Sequence, residues 1–133
     1  MKSTFLFALL IPVLFFATCK GGSSPTTPFS TPEATFETMV TAIKAKDLDK
    51  YTQCWYPERL ERESEVNKIK EDPSTWDELG AMFKGSLKLK ETGERSEDGK
   101  TVKKFQVNSP DVENGIGAIT LIQDGDKWLM YSW

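Results

Sequence analysis

Ile116-Gly117-Ala118-Ile119-Thr120-Leu121-Ile122-Gln123 is the stretch that decides how this chain folds. Branched residues dominate it, and both alternating sets of positions are apolar, the pattern of a strand covered on two sides. Such a strand belongs in the middle of a sheet. Before it, Ser109 to Gly115 holds Pro110 and Asn114-Gly115, a turn signal. After it, Asp124-Gly125-Asp126 turns the chain into a last strand ending in Trp128, Leu129, Met130, Tyr131 and Trp133. Two further strands lie upstream. Ser86 to Thr92 alternates Leu87 and Leu89 with Lys88 and Lys90, Gly93 to Gly99 reads as a polar hairpin loop, and Thr101 to Asn108 carries Val102, Phe105 and Val107. Val102 and Phe105 are out of phase, so a bulge at Lys103-Lys104 is expected to bring both to one face.

Further toward the N-terminus the apolar period changes from 2 to 3.6. Thr31-Pro32-Glu33 is a helix start, and Phe36, Met39, Val40 and Ile43 follow as one apolar stripe, which predicts a helix over 32–46. Asp47 caps a second, short helix carrying Leu48, Tyr51, Cys54 and Trp55 as far as the break before Pro57. Residues 58–71 are dense in charge, with Glu58–Arg62 and Arg59–Glu63 at i, i+4 and only Leu60, Val66 and Ile69 to anchor them. This helix is expected to be the least firmly docked. Ser74 with Asp77, or Thr75 with Glu78, can cap a helix bearing Trp76, Leu79, Met82 and Phe83, which Gly85 ends. Helices followed by a four-stranded antiparallel meander give an α+β domain over 31–133, the helices packed on one face of the sheet.

Lys2 and the thirteen uncharged residues Phe5 to Ala17 form a signal-peptide core too short to span a bilayer, which takes about 20 residues. The run ends in Phe16-Ala17-Thr18-Cys19, a junction that resembles a bacterial lipobox. Phe16 and Thr18 replace the usual Leu and Gly or Ala, as in the looser boxes of spirochaetes and some other didermic bacteria. The resemblance implies a signal over 1–18, removal before Cys19, and a thioether-linked lipid with palmitate-type acyl chains on Cys19. Two or three such chains attach a protein lastingly, whereas one holds it only marginally. Lys20, in place of the aspartate that resembles an inner-membrane retention signal, points to the outer membrane. The alternative is an ordinary secretory signal cut near Ala17. Residues 19–30, rich in Ser, Thr, Pro and Gly, are expected to form a disordered tether.

Composition removes several function classes. The 133 residues include no histidine, so His-based acid–base chemistry, His-activated nucleophiles and His-containing zinc sites are out. With 17 Lys+Arg against 20 Asp+Glu the net charge is −3, which supplies no general basic field for nucleic acid. Once Cys19 carries lipid, Cys54 has no disulfide partner and reads as a small buried residue. Asp124-Gly125-Asp126 lacks the twelve-residue spacing of a calcium loop, and no metal or other cofactor is expected. Lys84, Lys88, Lys90, Lys100, Lys103 and Lys104 gather around the first hairpin, as a basic patch or as solvent-side guards of a sheet edge.

Pro32-Glu33-Ala34-Thr35-Phe36 opening the first helix, Lys46-Asp47-Leu48-Asp49-Lys50-Tyr51 closing it, and Gly125-Asp126-Lys127-Trp128-Leu129-Met130-Tyr131 resemble the cystatin-like cone. That cone is shared by nuclear transport factor two, SnoaL-like proteins and ketosteroid isomerases. The resemblance covers 31–133 and implies a curved sheet wrapped over helices. Family enzymes place Asp, Tyr or His inside the cone. Asp47 and Tyr51, four apart, could supply an acid and a hydroxyl to polarise a carbonyl; the competing reading is a capping aspartate and a core tyrosine. Tyr51, Trp55, Trp76, Phe105, Trp128 and Trp133 are the candidates for lining an apolar ligand site. The expected function is a non-enzymatic, lipid-anchored envelope protein that binds a small apolar ligand or another envelope protein. Alternatives are an isomerase or dehydratase working through Asp47 and Tyr51, and a structural envelope component that forms a homodimer through its sheet.

Overall fold

A computed structural model describes residues 27–133; the expected signal, Cys19 and the tether as far as residue 26 lie outside the described residues. Thr31 opens α1 (Pro32–Ala45), its hydroxyl accepting from the Ala34 N–H at 3.1 Å, with Pro32 in the first turn where no N–H is needed. The buried face of α1 is Thr35, Phe36, Met39, Ala42 and Ile43; of the predicted stripe Phe36, Met39 and Ile43 are buried and Val40 is half-buried. Lys46 ends it in the left-handed conformation (φ 55°), and the Asp47 carboxylate then accepts from Lys50 N–H at 3.0 Å to start α2 (Leu48–Gln53).

Here the structure departs from the expectation of a helix running through Trp55. α2 stops at Gln53 with Cys54 still in the helical region as its C-cap, and the chain then pairs at Trp55, parallel to the last strand. Met130 N–H donates to Cys54 O at 2.7 Å, and Tyr56 N–H donates to Met130 O at 2.8 Å. An edge strand offers a row of unpaired backbone groups, and satisfying them outweighs one more turn of a short helix. Trp128 N–H on the same edge donates to Phe29 O at 2.7 Å. Thr27–Ser30, within the stretch expected as tether, forms a turn docked in this way, with Thr38 Oγ1 donating to Pro28 O at 3.2 Å.

α3 (Leu60–Glu71) and α4 (Thr75–Met82) complete the helical layer. Of the α3 residues named as anchors, Ile69 is buried and Val66 half-buried. The expected capping arrangement at α4 is absent: Ser74 makes no side-chain cap bond, and its N–H and Oγ both donate to Asp72 Oδ1, at 3.0 and 2.7 Å. These two bonds hold the Asp72 carboxyl below the usual carboxylate range.

The sheet is an antiparallel meander in the order β1 (Lys88–Glu97), β2 (Lys100–Ser109), β3 (Val112–Asp124), β4 (Lys127–Ser132), so β3 is central as predicted. Its pairing runs unbroken through Lys103↔Leu121 and Lys104↔Thr120, which rules out the expected bulge there. Val102 and Phe105 therefore point to opposite faces, and both are buried because each face has its own core. Phe105, Val107, Ile119, Leu121 and Met130 join the helices, whereas Val102, Ile122, Leu129, Tyr131 and Tyr56 form a smaller cluster on the other side. The register shift on the first hairpin falls instead between Glu91 and Gly93. The anticipated loop over 93–99 is strand almost to its end, closed by Asp98 and Gly99 alone at φ 50° and 76°, a primed two-residue turn. The next reversal is at Pro110-Asp111. Asn114-Gly115 lies inside β3 at positive φ, where a Cβ on Gly115 would meet Val107 O at 2.6 Å.

Candidate functional site

A cleft of about 330 Å³ with largely apolar walls lies between the α3–α4 layer and the N-terminal half of β3. Leu79, Met82 and Phe83 from α4 and its end form one wall, Val107, Ile116 and Ile119 the other, and Trp133 closes the inner end. Glu65 and Lys68 of α3 stand at its rim with Glu78. Helical spacing puts Leu79, Met82 and Phe83 on one side of α4, and that side is only partly covered. Met82 is left 53% exposed and Trp133 38% exposed, and both face this cleft. Exposed large apolar side chains grouped in one concavity mark a binding surface more often than isolated ones do. The volume lies at the lower end of ligand pockets, roughly 300–1,000 Å³.

Behind Trp133 lies an aromatic cluster. The Trp133 ring packs edge-on against Trp55 at 4.9 Å and lies 6.5 Å from Tyr51 and 5.6 Å from Phe83, while Trp76 meets Tyr51 edge-to-face at 5.6 Å. Tyr51 and Trp55 are 0% and 1% exposed, yet neither Tyr51 Oη nor Trp55 Nε1 has a hydrogen-bond partner among the described residues. Burial pushes the Tyr51 phenol well above its ordinary range, and the Glu65 carboxylate, the strongest charge acting on it, pushes the same way. The neighbouring Trp55 side chain acts the other way, favouring the phenolate.

The structure therefore brings four of the six aromatic candidates together: Tyr51, Trp55, Trp76 and Trp133 share one cluster, and Trp133 reaches the cleft wall. Phe105 lies buried among the helix-facing side chains of the sheet. Trp128 is at the far end, its carbonyl accepting from the buried Thr35 hydroxyl at 2.5 Å and its ring 5.7 Å from the Lys103 ammonium. Asp47 and Tyr51 do not form a shared site. The Asp47 side chain is exposed and occupied with the α2 N-terminus, and Tyr51 points into the core. Burial also pushes the Cys54 thiol up to about 12, so it is protonated and inert at neutral pH.

The lysines gathered by the sequence separate in space. Lys103 faces the helices, where the Glu91 carboxylate at 3.2 Å and Glu94 at 3.8 Å raise its pKa. Lys100 pairs with Asp124 on the other face and is raised by it. Lys84, Lys88, Lys90 and Lys104 are exposed. Near Lys100 sits a cluster that sequence reading missed: Arg59 Nε donates to Tyr131 O at 3.0 Å with its guanidinium 4.0 Å over the Tyr131 ring, and Tyr131 Oη donates to Glu97 at 2.5 Å. That bond holds the Glu97 carboxyl below the usual range and the Tyr131 phenol above it. Nothing in the spacing of residues 59, 97 and 131 announces their meeting. A second, more polar groove of about 730 Å³ between α2 and α3 carries Asp49, Glu58 and Glu63 against Arg59, Arg62 and Lys70, a balance that selects neither sign of charge. Among the described residues no group of three or more Cys, Asp or Glu could hold a metal ion, and no helix is long and apolar enough to cross a membrane.

No protein-family model matches this chain, and no curated protein matches it. Among solved structures it is similar to one from Thiobacillus denitrificans described as a calcium/calmodulin-dependent protein kinase type II association domain. The identity is 20%, over 77% of this chain and 90% of that one, with a TM-score of 0.41. It is also similar to an uncharacterised cystatin fold protein from Novosphingobium aromaticivorans, at 17% identity over 73% of this chain and 94% of that one, with a TM-score of 0.30. These are likenesses of fold. The α+β class itself stands on the four helices and the four-stranded antiparallel meander described above.

Proposed function

We propose that this protein is a lipid-anchored envelope protein whose α+β domain binds a small apolar ligand in the cleft between α4 and β3. The observation that carries the reading is the joint exposure of Met82 and Trp133 along one apolar cleft of about 330 Å³. Water leaves such walls favourably, at about 25 cal/mol for each Å² of apolar surface covered. The anchor is supported by the thirteen-residue run Phe5 to Ala17 that leads into Thr18-Cys19. The isomerase or dehydratase alternative needs a carboxylate beside the Tyr51 hydroxyl that can exchange protons with a substrate, and Asp47 is engaged at the exposed start of α2.

The test is methyl NMR of the full chain in lipid nanodiscs, titrated with undecane and with methyl decanoate. Saturable shifts at the Met82 methyl and at Ile116, lost in Met82→Lys, are expected. Shifts that never saturate, or that scatter over the surface, would sink the reading.

A further inference from the structure

Tyr51 Oη and Trp55 Nε1 are the two polar atoms that the aromatic cluster buries without a protein partner. An indole N–H can only donate, whereas the phenol donates one proton and can also accept, so the pair holds two donor hydrogens against a single acceptor oxygen of its own, and at least one donor is left over. A buried polar group left unmade costs about 1–3 kcal/mol, and such a group in a folded protein calls for an explanation. The Trp133 ring packs against both residues and also lines the cleft. Trp133 is also the most exposed ring of the cluster, the others being Tyr51 at 0%, Trp55 at 1%, Phe83 at 3% and Trp76 at 7%.

From this geometry we infer that the cleft takes an apolar chain ending in a neutral carbonyl, as in an ester or an amide, whose oxygen accepts from Tyr51 Oη and Trp55 Nε1 once the Trp133 side chain turns aside. The inference rests on the cleft being a ligand site and adds the chemistry of the ligand's polar end. Two donors require an acceptor, which an alkane lacks. The rim carries both Glu65 and Lys68, but of the two only Glu65 bears on the Tyr51 hydroxyl, which disfavours a carboxylate beside it and favours an uncharged acceptor. The apolar walls require the rest of the molecule to be hydrocarbon.

The experiment uses the full chain in nanodiscs with methyl decanoate carrying 13C at the carbonyl, read by infrared spectroscopy against empty nanodiscs. The expected result is a saturable carbonyl band at lower frequency, the mark of an oxygen accepting hydrogen bonds, which disappears in Tyr51→Phe. Undecane is expected to bind about tenfold more weakly than the ester, the scale of a net hydrogen bond made in a buried site. Decanoate is expected to bind more weakly than the ester and to gain in Glu65→Gln. Shifts at Met82 with both ester and undecane but no displaced carbonyl band would overturn the inference and leave the cleft as a ligand site. A displaced band that survives Tyr51→Phe would overturn it as well. Silence at Met82 together with no displaced band would overturn both.

Discussion

Tyr51 is a residue whose ring and hydroxyl pull in opposite directions. The ring fills the centre of the aromatic cluster, whereas the hydroxyl is buried without a partner. Tyr51→Phe is therefore expected to leave stability unchanged or to raise it by up to about 1 kcal/mol in urea unfolding, because a desolvated donor is removed and the ring is kept. Trp55→Ala, by contrast, should cost about 3–5 kcal/mol, the range for deleting a buried aromatic side chain. Glu97 carries a prediction about pH. Its folded pKa is depressed by the Tyr131 hydroxyl, so its contribution is present above the unfolded value of about 4.3 and is lost as pH falls through the lower folded value. Glu97→Gln should flatten the acid limb of the melting temperature measured against pH. Lys100 and Lys103 act on the alkaline side: their raised folded values mean stability fully present below about 10.4 and lost above it.

Among the elements, α1 was legible because most of what makes it is local: a Thr cap, a Pro in the first turn and apolar residues at all inward positions but Thr35. Thr31→Ala is expected to cost about 1 kcal/mol by thermal melting, as loss of an N-cap does elsewhere. The central place of β3 was legible for the same reason, since two-sided apolarity is written in its own residues. The departures arise where a distant element settles the outcome. Cys54–Tyr56 has the sequence of a helix end but is claimed by the unpaired edge of β4, 74 positions or more further along. The amides of Tyr56 and Met130 should accordingly be among the slowest to exchange with deuterium, while those of β1 exchange fast. The phase of Val102 was misread because a one-sided sheet was assumed, and the cluster of Tyr56, Leu129 and Tyr131 on the far face makes burial on that side favourable. The Asp98-Gly99 turn could have been found from the dipeptide alone, which favours a tight primed turn over a long loop.

At the scale of the whole molecule, the proposed anchor at Cys19 and the domain each have their own check. Replacing Cys19 by Ser should move the protein out of the palmitate-labelled membrane fraction without altering the melting of the domain, followed by fractionation and circular dichroism. The candidate site was only partly legible. Its aromatic residues stood out by type, but which of them reaches the surface depends on where α4 ends and how far β3 runs, and neither is fixed by local sequence. Trp133 emerges at the cleft for that reason, while Trp128, with the same side chain, is sealed at the opposite end. The uneven clothing of the sheet has a practical side. β1 is exposed along most of its length, with Glu97 and Lys100 tied to Tyr131 and Asp124 on either side of the Asp98-Gly99 tip. A short epitope or fluorophore-binding peptide grafted between Asp98 and Gly99 would sit on a braced, solvent-washed spur. It would let the protein be watched on living cells while the apolar cleft stays untouched.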